Sequence, residues 1–155
     1  MIAYLSGAME YAQDEGEAWR DSISEWLSIK LGHDVINPVE ESRLIIEKTN
    51  SYEYRDWKDT DIKRYKEFMH QFVVQDIESV TKEANYIICL WNKDVFRGAG
   101  TQGEVTLAFE HGIPVYLISQ VPKTDLSGWI IACSTKIFDN IEELKLVLLK
   151  KFGYI

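Results

Sequence analysis

The stretch Asn85–Ile118, NYIICLWNKDVFRGAGTQGEVTLAFEHGIPVYLI, decides the fold. Tyr86 to Trp91 is a continuous, uncharged run of β-branched and aromatic side chains, which predicts a strand buried on both faces. Ile113 to Ile118 predicts a second strand of the same kind. Between them come Gly98, Gly100 and Gly103, then Glu104 and a short helix closed by Gly112 and Pro114. A strand–loop–helix–strand unit is a βαβ crossover, and open parallel sheets bind ligands beyond the carboxyl ends of their strands. Glu104 is expected there, in the first turn of the helix, behind three glycines that let backbone come close to a ligand.

Upstream, Met1 to Leu5 reads as a first strand, followed by the small residues of Ser6-Gly7-Ala8-Met9, a tight strand-to-helix turn. The G-x-G-x-x-G dinucleotide spacing is absent. Glu17 to Leu31 is helical by the recurrence of Trp19, Ile23, Trp26, Leu27 and Leu31. After Gly32, the run His33 to Pro38 reads as a short second strand. Residues 39–61 are charged, aromatic and irregular, with Tyr52, Tyr54 and Trp57; they read equally as a lid or binding loop and as an extra surface helix. Asp61 to Ala84 is the clearest helix, striped by Tyr65, Phe68, Met69, Phe72, Val73, Ile77 and Val80. Downstream, Ser119 to Ser127 is a polar loop, Gly128 to Cys133 a short helix and Lys136 to Phe138 a last strand. A final helix is N-capped by Asp139 or Asn140, with Ile141, Leu144, Val147 and Leu148 on one face. The order predicts a single α/β domain over residues 1–155: a doubly wound, Rossmann-like parallel sheet of about five strands in order 2-1-3-4-5. The switch point then falls between the first and third strands, so the Ser6–Met9 turn and the glycine loop before Glu104 meet at one cleft.

Composition narrows the function. The chain has 155 residues, 46% hydrophobic and 27% charged, which is ordinary for a globular domain. A formal net charge of −8 disfavours a nucleic-acid polymer as partner, though not a single nucleoside or nucleotide. Cys89 and Cys133 lie in apolar runs and read as reduced, buried thiols of a cytoplasmic protein. No run is long enough to span a membrane, and the N-terminus runs straight into a strand with no signal peptide. His33, His70 and His111 are scattered without ligand spacing, so no metal site and no cofactor is expected. There is no G-x-S-x-G elbow and no Walker A ending.

Three groups remain: Glu104 after its glycines, Asp76 within the apolar stripe of its helix, and Tyr4 in the first strand. A carboxylate on a buried face needs a partner and is a candidate functional acid. Two carboxylates and a phenol around one cleft suit acetal chemistry, with one carboxylate attacking an anomeric carbon while another acid protonates the leaving group. For Glu104 the bland alternative is a helix N-terminal carboxylate complementing the dipole; for Asp76 it is that the stripe ends near Val73 and the carboxylate faces solvent at its edge.

Tyr4-Leu5-Ser6-Gly7-Ala8-Met9, Gly32 to Pro38, Asp76 ahead of an apolar strand, and Gly100-Thr101-Gln102-Gly103-Glu104-Val105-Thr106-Leu107-Ala108 together resemble the nucleoside 2-deoxyribosyltransferase family and the related nucleotide N-glycoside hydrolases. The resemblance covers about residues 1–118. It implies a flavodoxin-like sheet, a role in nucleotide salvage, a covalent glutamyl-deoxyribosyl intermediate and a homo-oligomer whose neighbouring subunit completes the site. By the same resemblance Glu104 is the nucleophile, Asp76 handles the proton of the base and Tyr4 orients the nucleophile. Ser6, Gly7, Met9, Asp94, Gly98, Gly100 and Thr101 are the expected substrate contacts, Asp94 towards the base. Asn85 stands where the family commonly has aspartate, and Ser134 and Thr135 are the possible counterparts of the residue supplied across subunits. Deoxyribosyl transfer between bases is the expected reaction. The alternatives are hydrolysis of a nucleoside 5′-monophosphate, for which Arg97 offers a phosphate ligand, and a non-catalytic module binding a nucleotide signal. Trp57, Trp91, Trp129 and Phe96 are candidates to stack on a base, with core packing as their commoner role.

Overall fold

A computed structural model describes residues 1–153. Five parallel strands, β1 (Ile2–Gly7), β2 (Asp34–Ile36), β3 (Tyr86–Trp91), β4 (Val115–Ser119) and β5 (Lys136–Phe138), form one sheet in the order 2-1-3-4-5. This is the flavodoxin-like α/β architecture expected from the sequence. β4 starts two residues later than the apolar run suggests. Ile113 is spent on closing the preceding helix, its N–H donating to the Ala108 carbonyl at 2.8 Å.

Helices α1 (Glu17–Leu31) and α7 (Ile141–Phe152) cover one face of the sheet. Their Ile23, Leu27, Leu144 and Leu148 pack on Ala3, Leu5, Ile88 and Ile118. The other face carries α5 (Gly100–Glu110), α6 (Gly128–Cys133) and the turn that follows α4 (Ile62–Glu78). There Val80, Val105, Ala108 and Ile130 meet Tyr4, Ile87, Cys89 and Leu117. The two-residue period of a strand explains this division. In β1, Ala3, Leu5 and Gly7 share one face, while Tyr4 and Ser6 share the other, under α5.

Residues 39–61 are more regular than their sequence suggests. They hold most of α2 (Pro38–Thr49), a 3-10 turn at Tyr54–Asp56 and the one-turn α3 (Trp57–Thr60). Asn37 caps α2 by accepting from the Val39 N–H, and Pro38 takes the first helical position. Only Pro38 and Val39 of this helix are buried, which is why no apolar stripe announces it. On α4 the stripe is narrower than its periodicity indicates. Phe68 and Phe72 are buried against Tyr54, whereas Val73 and Ile77 face solvent. The helix ends at Glu78, and residues Ser79–Glu83 form a wider π turn that tucks Val80 into the core.

Candidate active site

α5 begins at Gly100, so Glu104 is its fifth residue and lies one turn further in than expected. It therefore does not cap free N–H groups at the helix start, and its carboxylate turns towards β1. The Tyr4 hydroxyl donates to Glu104 Oε1 at 2.9 Å, and the Ser6 hydroxyl donates to Oε2. Both hydroxyls come from the same face of one strand, two residues apart, which is the spacing needed to reach the two oxygens of one carboxylate. Tyr4 and Ser6 are fully buried, so they hold the glutamate from beneath. Ser6, expected to touch substrate, is a support for Glu104 instead.

Above this floor is a cleft of about 220 Å³ at the carboxyl ends of β1 and β3. Gly7, Met9, Asp76, Asp94, Gly98, Gly100, Thr101 and Glu104 all line it. Of the expected site residues, only Tyr4 and Ser6 lie behind its surface. A Cβ placed on Gly98 or Gly100 would meet nothing within 4 Å apart from its own chain neighbours and helix backbone, so packing does not require a glycine at either position. Gly103 does not border the cleft. At Gly7 the constraint is internal: a Cβ would sit 3.1 Å from Trp19 and 3.3 Å from the Leu90 carbonyl oxygen.

The electrostatics separate the two carboxylates. Burial raises the pKa of Glu104, although its edge still faces the cleft, while the Ser6 and Tyr4 hydroxyls and the positive charge of Arg20 oppose that rise. Asp76 is pushed up to about 7, first by burial and then by the negative charge of Glu104. Both carboxyls are thus raised by burial, and Asp76 is raised further by the negative charge of Glu104. Burial and the two carboxylates together hold the Tyr4 phenol well above its ordinary value, so it remains a donor.

Arg20 carried no signal in the sequence beyond its place on a helical stripe, yet it organises the loop beside the cleft. It is fully buried. Its guanidinium donates to the carbonyls of Leu5 (3.1 Å), Gly7 (2.9 Å), Glu15 (3.2 Å), Gly16 (2.9 Å) and Ala8 (3.4 Å). Glu15 and Gly16 take the left-handed conformation (φ 55 and 73), which turns both carbonyls towards it. Asp14 accepts from the Gly16 and Ala18 N–H groups and so closes the start of α1.

The remaining walls come from the segment read as either lid or helix. Glu41, Ser42 and Ile46 of α2 and Tyr54 and Arg55 of the 3-10 turn line the cleft together with Tyr11. The segment is both helical and part of the cleft wall. Ion pairs Glu10–Lys58 (2.7 Å) and Glu15–Arg55 (2.6 Å) tie it to the loop after β1. Tyr11, Tyr54, Tyr65 and Phe72 supply the aromatic walls. Trp57, Trp91, Trp129 and Phe96 do not line the cleft: Trp91 is buried, and Trp129 and Phe96 are exposed elsewhere. Arg97 lies outside the lining, 4.2 Å above the Tyr11 ring. Ser134 and Thr135 also lie outside it, with hydroxyls bonded to the Ile130 carbonyl and the Val115 N–H. Cys89 and Cys133 are buried and unpaired, and no helix among the described residues is long and apolar enough to cross a membrane. Compared with known proteins, the chain matches no family model and no curated protein.

Proposed function

We propose that this chain breaks the N-glycosidic bond of a 2′-deoxynucleoside and passes the deoxyribosyl group to another base, with Glu104 as nucleophile. The observation that carries the proposal is the Tyr4–Glu104–Ser6 arrangement, a carboxylate fixed at both oxygens at the floor of a cleft, beside a second carboxylate that keeps its proton near neutral pH. A module that only binds has no need of such a pair. The motif resemblance described above agrees with this assignment.

The geometry supports the following course of reaction. A Glu104 oxygen forms a bond to C1′ from the face opposite the base. The C1′–N bond breaks, its electron pair stays on the base nitrogen, and Asp76 delivers its proton there, so that the base leaves neutral. The acceptor base then gives its proton to Asp76 and attacks C1′, and the bond to Glu104 breaks. Two inversions give net retention. Tyr4 and Ser6 hold the carboxylate through both displacements and carry part of its charge.

The charge of the cleft favours an uncharged nucleoside over a 5′-monophosphate. Its lining holds Glu10, Glu15, Glu41, Asp76, Asp94 and Glu104 against Arg55 as the single basic side chain among the described residues, and Arg55 is already paired with Glu15. A phosphate dianion would face mostly like charge, whereas the positive charge that develops on the sugar in the transition state would not. Homo-oligomerisation belongs to the same proposal. The exposed Val73, Val74 and Ile77 of α4 are the apolar surface available for it, and light scattering of the purified chain measures it.

The test is product chromatography from deoxynucleosides and their 5′-monophosphates, with and without a free acceptor base, with Glu104→Ala alongside. A new nucleoside that forms only with the acceptor and disappears in Glu104→Ala supports transfer at this site. Free base released without acceptor moves the assignment to hydrolysis. Equal turnover by Glu104→Ala removes the nucleophile from the proposal, and no turnover of any substrate leaves the binding-module alternative.

A further inference from the structure

Asp76 does not stand alone on its side of the cleft. Gln75, the residue before it in α4, donates an amide hydrogen to Glu41 Oε2 of α2 at 2.5 Å, and both residues line the cleft. Among the described residues, Gln75 is the one donor to this carboxylate. The contact also sets the amide's orientation: nitrogen faces the carboxylate, because oxygen would be repelled. The pair therefore presents a carboxylate acceptor and, next to it, the second amide hydrogen of Gln75.

An acceptor beside a donor is the complement of an amidine edge, in which an amino group stands beside an unprotonated ring nitrogen. Adenine carries that edge at N6 and N1, and cytosine carries it at N4 and N3. Hypoxanthine and uracil present the reverse, a carbonyl beside a ring N–H. The position of the pair fits the base rather than the sugar. C1′ must lie at Glu104, and the departing nitrogen must meet Asp76, so the side chains flanking Asp76 face the base. Glu41 is close enough for its charge to act on Asp76.

We infer that Glu41 and Gln75 form a base-selecting edge that favours amino-substituted bases, adenine and cytosine, over their carbonyl counterparts. This rests on the N-glycoside assignment above. A carbonyl base would set its lone pairs against Glu41 and its N–H against the amide hydrogen of Gln75. A site built to pair with a polar edge rejects the analogue that cannot pair, because its own groups are left unpaired. A well-formed pair of contacts of this type discriminates by about tenfold to a hundredfold.

The experiment compares initial rates for two matched pairs of substrates, deoxyadenosine with deoxyinosine and deoxycytidine with deoxyuridine, in the unmodified protein and in Glu41→Gln. The amino member of each pair is expected to have a kcat/KM about ten to a hundred times higher. In Glu41→Gln the ratio is expected to fall to within about threefold, since an amide can turn either a donor or an acceptor to the base. Ratios near one in the unmodified protein overturn the inference while leaving the N-glycoside assignment standing. Unchanged ratios in Glu41→Gln do the same. No turnover of any of the four substrates overturns the N-glycoside assignment itself. The ratios in the unmodified protein decide the matter even where the variant fails to fold.

Discussion

Asp76→Asn is expected to make the protein more stable while removing its activity, and the gain should grow with pH. In the folded chain Asp76 titrates at about 7, against 3.8 for an ordinary aspartate. Between those values the folded state holds a proton that the unfolded state has released. Stability therefore falls as pH rises through this window and is flat above it. A rise of about three pH units at about 1.4 kcal/mol each amounts to about 4 kcal/mol, an upper bound because the chain relaxes around a charge. An asparagine is neutral at every pH and does not lose this contribution. The assay is urea unfolding of both proteins at pH 5, 6, 7 and 8. With m near 2 kcal/mol/M for a chain of this size, the midpoint difference should widen by about 1 M between pH 5 and pH 8 in favour of the variant. The change with pH carries the prediction, because an asparagine amide does not bond as a protonated carboxyl does and shifts the whole difference by a constant. A midpoint difference that does not change with pH, or that turns against the variant as pH rises, would refute the reasoning that Asp76 is buried at the expense of stability.

Tyr4→Phe removes the 2.9 Å hydrogen bond to Glu104 from a fully buried site without changing the packed volume. A bond to a charged group is worth about 1.5–3 kcal/mol. The melting temperature should then fall by about 3–12 °C, and the acid limb of the kcat/KM profile should move to higher pH because Glu104 loses a group that favours its ionised form. A melting curve and a pH–rate profile that both stay in place would contradict the arrangement. In the unmodified protein kcat/KM should fall above about pH 7, where Asp76 gives up the proton that the leaving base needs; a rate flat to pH 9 would remove Asp76 as the acid. Gly16→Ala places a Cβ 2.2 Å from Arg20 Nη1 and 2.7 Å from the Ala8 carbonyl oxygen at a residue with φ 73. A loss of about 2–4 kcal/mol is expected from the strain and the displaced guanidinium, read by denaturant unfolding, and a loss under about 0.5 kcal/mol would show that the loop does not depend on Arg20.

Much of the site was legible because it rests on local rules. The two-residue period of β1 puts Tyr4 and Ser6 on one face, and the β3–α5 crossover brings Glu104 over that face whatever the surrounding sequence. Asp76 was visible as a carboxylate inside an apolar stripe. The parts that were not legible depend on long-range packing. Arg20 looks like any charged residue on a helix until the loop after β1 turns its carbonyls inward. Glu41 and Gln75 are separated by 34 positions in sequence and meet only because the fold brings one side chain of α2 to one of α4. α2 itself did carry a local signal: Asn37-Pro38 is a cap followed by a first-turn proline, but the same two residues also end a strand, and without an apolar stripe the strand-ending sense prevails. The displacement of Glu104 into the second turn of α5 has the same origin. The glycines looked like loop, and Gly100 and Gly103 are helical because helix propensity is a weak preference that tertiary context overrides.

The division of labour between the carboxylates follows from one proton. Both Glu104 and Asp76 lie within reach of the Tyr4 phenol, and hydrogen bonding to it favours the ionised form of each. A phenol has a single hydrogen, so it serves one carboxylate at a time. It goes to Glu104 at 2.9 Å, and Ser6 supplies that carboxylate with a second donor. Glu104 thus has both its oxygens satisfied as an anion, with the buried Arg20 charge acting on it as well. Asp76 has less to hold a negative charge: burial and the anion of Glu104 act against it, and Glu41 adds to that repulsion. Burial acts against the charge on both groups, and these contacts favour an ionised Glu104 beside a protonated Asp76. The proposed displacement at an anomeric carbon needs that assignment, a nucleophile below the sugar and an acid beside the base, and the two hydroxyls of β1 favour it.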